Sequence, residues 1–122
     1  MQPEAATDFS RGSTIVVAGD PSKAGAYVIR RLFKPGETSP PHYHDQDRYV
    51  TVIKGTWYSG EGDVMDPAKM VPIKTGGFML HPAGLHHYDG SNDSGEVVVQ
   101  INGMGPVTTV DVDAQGKPVR TR

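Results

Sequence analysis

Helical periodicity is absent from the 122-residue chain, and this limits its fold more than any other feature. Short apolar or β-branched runs recur instead between turn signals about 8–12 residues apart, the pattern of an all-β sandwich or barrel. Residues 13–18 and 26–33 read as strands flanking the turn Gly19-Asp20-Pro21-Ser22. The run 48–53 ends at Lys54-Gly55, and 56–59 is expected to pair behind that turn. A strand over 77–81 is stopped by Pro82-Ala83-Gly84, and the most apolar run, 97–101, belongs near the middle of a sheet. Residues 60–74 are polar, with Asp66-Pro67 as a helix or turn start, and read as an insertion loop. The tail from Val107 alternates weakly and would pair at an edge or with another subunit, while 1–11 is expected to be loose. The expectation is about seven or eight strands and no long helix.

Composition narrows the function classes. With 15 Gly and 10 Pro the chain stays below the level of low-complexity disorder, and its length suits one domain over 1–122 with a barrel core at about 13–112. A net charge of −2 with no Lys/Arg run offers no field for nucleic acid. No apolar run approaches the roughly 18–20 residues that span a bilayer. Residues 1–10 lack a signal-peptide pattern, so a soluble protein is expected, cytoplasmic or, if a leader has been removed, periplasmic. Cysteine is absent, which excludes thiolate ligands and leaves histidine or oxygen donors for any metal.

His42 and His44 are two apart, so on a strand both imidazoles lie on one face. His87 lies 43 residues beyond His44, suited to a strand returning across a barrel. Three neutral ring nitrogens would form a facial set with open positions on one divalent ion. Around them the sequence resembles the cupin superfamily. Its first motif is Gly, five residues, His-x-His, three or four residues, Glu, six residues, Gly. Gly36, His42, His44 and Gly55 fall in register, with Arg48 at the Glu position. In the second motif Gly76, Pro82, Gly84 and His87 match, with Ser91 where Asn is usual. Residues 15–112 are similar to a small bacterial single-domain cupin family whose members often carry a signal peptide. The resemblance implies a double-stranded β-helix (jelly-roll barrel) and His42, His44 and His87 as metal ligands. It also implies oxygen chemistry of the kind three-His iron dioxygenases perform on diketones, thiols and aromatic acids, and a homodimer. Fe(II) is the leading metal, with Mn, Ni, Zn and Cu as alternatives.

Without the usual glutamate, the full charge of the ion is uncompensated by its ligands, which favours an anionic ligand. Arg48 shares strand parity with His44 and would face the same cavity. A small organic acid or enolate that chelates the metal and pairs with Arg48 is therefore the expected substrate class, with O2 as a second partner. The alternatives are that Arg48 reaches solvent or pairs with Asp45 or Asp47, or that one of those carboxylates replaces the missing ligand. His81, at the end of its strand, is the candidate proton carrier ahead of His86. Some of Tyr43, Tyr49, Trp57, Tyr58, Phe78 and Tyr88 should wall the cavity. Glu61, Asp63 and Asp66 lack calcium-loop spacing. The expected function is a small-molecule metalloenzyme, an iron-dependent dioxygenase before a non-catalytic binding or sensing module, or a metal-dependent lyase or isomerase.

Overall fold

The pairing of the two longest strands organises the molecule. A computed structural model describes residues 7–92 and 94–122, so the expectation for residues 1–6 lies outside the described residues. The strands are β1 (Thr14–Ala18), β2 (Gly25–Phe33), β3 (His42–His44), β4 (Arg48–Lys54), β5 (Thr56–Glu61), β6 (Val71–Lys74), β7 (Phe78–His81), β8 (His87–Gly90), β9 (Val97–Gly105), β10 (Thr109–Val112) and β11 (Pro118–Thr121). β2 and β9 run antiparallel from Gly25 opposite Gly105 to Phe33 opposite Val97, without a break in register. Two sheets result, one in the order β1-β2-β9-β4-β7 and the other in the order β11-β10-β3-β8-β5-β6. Among the described residues no helix is long and apolar enough to cross a membrane.

Alternation along each strand decides what faces inward. Tyr27, Ile29 and Phe33 of β2, Val50 and Val52 of β4, Val97, Val99 and Ile101 of β9, and Trp57 of β5 form the buried apolar cluster. Each fully buried aliphatic side chain contributes about 1.5–3 kcal/mol, so this cluster, not the polar site beside it, holds the sheets together. β9 occupies the centre of its sheet, as its apolar run suggests.

Four expectations require correction. The described residues form eleven strands rather than seven or eight, because short strands such as β6 and β11 pair at sheet edges without an apolar run of their own. Residues 60–74 are not an insertion loop: β5 runs on to Glu61, Asp66 caps a short 3-10 helix at Pro67–Lys69, and β6 pairs with β5. Pro72 is tolerated because β6 is an edge strand, where a missing N–H breaks no inner ladder. The run 56–59 does not form a hairpin with β4; the chain crosses at Gly55 to the other sheet, where β5 pairs with β6 and β8. In the tail, β10 is an inner strand beside β3, and only β11 lies at an edge.

Candidate metal centre

Pairing of β3 with β8 sets His42 directly opposite His87, so both imidazoles rise from one face, and His44 follows two residues along β3. The three residues are buried, and one ring nitrogen from each lies within 4.8 Å of the others. Bonds of about 2.1 Å to a common ion place ligand nitrogens roughly 3–3.5 Å apart, which small side-chain rotations reach from here.

Hydrogen bonds orient the rings for this task. His42 Nδ1 lies 2.6 Å from the Pro40 carbonyl and His87 Nδ1 lies 2.9 Å from the Leu85 carbonyl. A carbonyl only accepts, so both Nδ1 atoms carry the proton and both Nε2 atoms present a lone pair. In His44, Nδ1 is 3.0 Å from Thr109 Oγ1, and Arg48 Nη1 lies against the ring, 2.9 Å from Nε2 and 3.2 Å from Nδ1. The Thr109 hydroxyl can accept from Nδ1–H, and that tautomer leaves His44 Nε2 its lone pair. Burial pushes the pKa values of all three histidines down; Arg48 adds to the effect at His44 and His81 at His87. The triad is therefore neutral at pH 7, the state that ligates, and the donor set fits one divalent transition metal.

Arg48 is half-buried and turns into the barrel. Its guanidinium lines the cavity of about 400 Å3 that holds the three histidines, and its Nε is buried without a hydrogen-bond partner. Burial draws its pKa down from the ordinary arginine value, opposed first by Tyr27 and then by Asp89. Neither alternative carboxylate lines the cavity: Asp45 turns away to accept from the Thr108 N–H at 2.8 Å and Asp47 from the Ala83 N–H at 2.7 Å. Both tie loops together; the second, with a bond from the Gly84 N–H to the His44 carbonyl, fastens the turn before His87 to the end of β3.

His81 also lines the cavity. Its Nε2 is 3.1 Å from Ser59 Oγ, its ring centroid is 3.8 Å from that of His87, and burial first of all lowers its pKa to about 4. His86 is elsewhere, paired through Nδ1 with Asp63 at 2.5 Å and stacked on Tyr43. Of the aromatic set only Trp57 lines the cavity; Tyr49 and Phe78 are exposed, and Tyr88 is buried with its hydroxyl on the Asp66 carbonyl.

Sequence reasoning missed Asp89. This buried carboxylate lies in the same cavity, accepts from Trp57 Nε1 at 3.0 Å and binds the Ser39 hydroxyl. Burial alone would raise its pKa, but His87, His42 and the Ser39 hydroxyl outweigh that and hold it below the usual carboxylate range. The expectation of a site with no compensating carboxylate is therefore corrected: one stands in the cavity wall. Gly90 makes this possible, because a Cβ there would lie 2.3 Å from the Glu37 carbonyl oxygen, and the close approach of that segment seats Ser39 against Asp89.

No protein-family model and no curated protein matches the chain. Solved structures do. A protein of unknown function with a cupin-like fold from Ralstonia eutropha is 24% identical, with a TM-score of 0.65, over 88% of this chain and 62% of that one. The polyketide cyclase RemF from Streptomyces resistomycificus is 15% identical, with a TM-score of 0.64, over 77% and 67%. A structure of DMSP lyases is 17% identical, with a TM-score of 0.62, over 89% of this chain and 50% of that one. The chain thus spans about half to two thirds of these neighbours. The two sheets form a β-barrel whose histidine triad could hold a metal ion, and the likeness shows that the barrel is a cupin fold.

Proposed function

We propose that the cavity is the active site of a small-molecule metalloenzyme, an iron-dependent dioxygenase acting on a small anionic chelating substrate. The observation that carries this reading is the convergence of three imidazole lone pairs, each with its other nitrogen held by Pro40, Leu85 or Thr109, on a point that a buried guanidinium also addresses. Fe(II) held by His42, His44 and His87 would supply a centre where an oxygen-chelating substrate and O2 bind side by side.

The residues of the chain would do the rest. Arg48 draws the anion in and pairs with its oxygens through a planar fork of N–H donors. His81, neutral and hydrogen-bonded to Ser59, holds or accepts a proton at Nε2 beside the ligand set. Ile29, Val50, Val99 and Ile101 give the cavity an apolar side that limits water.

His81 and Asp89 also favour a second reading, a metal-dependent lyase or isomerase, because either could act as a base inside the cavity. Two of the structural neighbours are named as a cyclase and as lyases. Oxygen uptake by iron-loaded protein with a panel of diketones and hydroxy acids separates the two. Uptake coupled to substrate loss supports the dioxygenase. Turnover that persists without oxygen supports the lyase or isomerase, and saturable spectral shifts without turnover indicate a binding module.

A further inference from the structure

Cross-strand register extends the histidine row towards the sheet edge. His87 on β8 faces His42 on β3, His42 faces Asp111 on β10, and Asp111 faces Arg120 on β11. His44 faces Thr109, whose backbone exchanges two 2.8 Å hydrogen bonds with that of Arg122. Residues directly opposite in a ladder share a face, and neighbouring strands are about 4.8 Å apart, so these arginines start about 10 Å from the ligand strand. Both line the same cavity as the triad, and Arg31 lines it from the opposite sheet.

Carboxylates do not use up these guanidinium groups. Asp111 alone faces both Arg122, with Nη2 at 3.0 Å and Nε at 3.3 Å, and Arg120, whose Nε lies 3.5 Å away. Arg31 meets Glu37 only at 3.6 Å, donates through Nη1 to the Leu32 carbonyl, and its guanidinium carbon sits 4.3 Å above the Phe33 ring. Each guanidinium carries five N–H donors. Among the described residues these three guanidinium groups therefore share two carboxylates and one backbone carbonyl at the cavity mouth, fewer acceptors than their donors can serve.

We infer that the ligand carries a second anionic group, bound at the mouth by Arg31, Arg120 and Arg122 while its chelating head lies by the triad and Arg48. This rests on the proposed function for the head and names the substrate class more closely: an acid with two separated anionic ends. A monoanion fills only the inner half of the cavity. A dianion spans it and exchanges water for guanidinium at both ends.

Two matched pairs of probes test this with the full chain. In the metal-free protein, glutarate and pentanoate differ only in the distal group and read the mouth alone, by isothermal titration. In Co(II)-loaded protein, 2-hydroxyglutarate and 2-hydroxypentanoate present the same chelating head, read by the cobalt absorption spectrum. The dianion of each pair should bind at least tenfold more tightly. Arg120→Gln with Arg122→Gln should bring the ratio below about twofold, and Arg31→Gln, which leaves the Asp111 pairs intact should the double variant misfold, should cut it severalfold. Equal affinities within both pairs overturn the inference. Preference for glutarate without any hydroxy acid disturbing the cobalt spectrum supports the mouth site and refutes the proposed function instead.

Discussion

Arg48 and a metal ion would stand beside the same imidazole. Arg48 Nη1 lies 2.9 Å from His44 Nε2 and 3.2 Å from Nδ1, so an ion bonded to Nε2 at about 2.1 Å would lie within a few ångström of the guanidinium. The side chain can draw back, yet its backbone stays fixed in β4 opposite Gly103 and His81, so its charge remains close to the ion. Two unit charges 4 Å apart repel by about 4 kcal/mol at an effective dielectric near 20, and a dication doubles that. If retreat and screening leave only a quarter, about 2 kcal/mol remains, some 30-fold in affinity. Arg48→Gln should therefore tighten Zn(II) or Co(II) binding by at least tenfold in a chelator competition, and Arg48→Lys should stay near wild type. The same Gln variant should bind hydroxy acids at least tenfold more weakly. A folded Gln variant with wild-type or weaker metal affinity would refute the repulsion and move Arg48 out of the site's electrostatics.

Replacing His42, His44 or His87 by Ala should lower metal occupancy well over tenfold by metal analysis while circular dichroism stays that of a β-barrel, because the apolar cluster is untouched. His81→Ala should leave metal content nearly intact and lower turnover; lost metal would make it a ligand. Gly103→Ala should destabilise by about 1–3 kcal/mol in urea, since its Cβ would lie 2.6 Å from the buried Tyr27 hydroxyl, and should disturb anion binding through the neighbouring Arg48. The metal-free protein should lose stability as the pH falls from 6.5 towards 4. Unfolded His81 takes a proton near 6.5 that the folded site refuses until about 4, so stability rises with pH across that window. That one group accounts for on the order of 3 kcal/mol, and His81→Gln should make the decline in urea midpoints shallower without abolishing it, because burial holds His42, His44 and His87 neutral as well. A wild-type midpoint unchanged across the window would contradict the burial argument.

What the sequence made legible follows from how far each signal reaches along the chain. The period of two in His42-Tyr43-His44, and the glycine and proline turns before His42 and His87, are local, and they carried the triad and the barrel. The pairing of 56–59 was misread because a Lys-Gly turn looks alike whether the chain doubles back or crosses to the facing sheet; long-range pairing with β8 decides it. Val71–Lys74 was hidden by Pro72, which argues against a strand unless the strand is known to be an edge. Asp89 carries a local signal in the sequence. It stands two residues after His87, the same spacing that puts His44 beside His42, so parity alone turns its carboxylate inward. Tyr27 had none: it reaches Arg48 only because β9 sets Gly103 opposite both residues.

Asp89 and Arg48 together change what the centre asks of a ligand. A carboxylate at position 48 would bind the ion directly, neutralise part of its charge and take one of its open positions. Here the negative charge has moved to Asp89, whose oxygens are engaged by Trp57 and Ser39, so it offsets charge through space without taking a position. The position opposite is addressed by a cation that cannot ligate. In the proposed function, a divalent ion on this triad therefore keeps more open positions than one held by three histidines and a glutamate, and the anionic donors that fill them must come from the ligand. The buried Nε of Arg48, without a partner, is the chain's own measure of that demand. An unpaired buried donor on a charged group costs about 1–3 kcal/mol or more. A ligand oxygen placed beside Arg48 would recover part of that cost, which a neutral chelator could not do as strongly. In the proposed function, selection for an anion would thus follow from the arginine's unmet hydrogen bonding as well as from the charge of the ion.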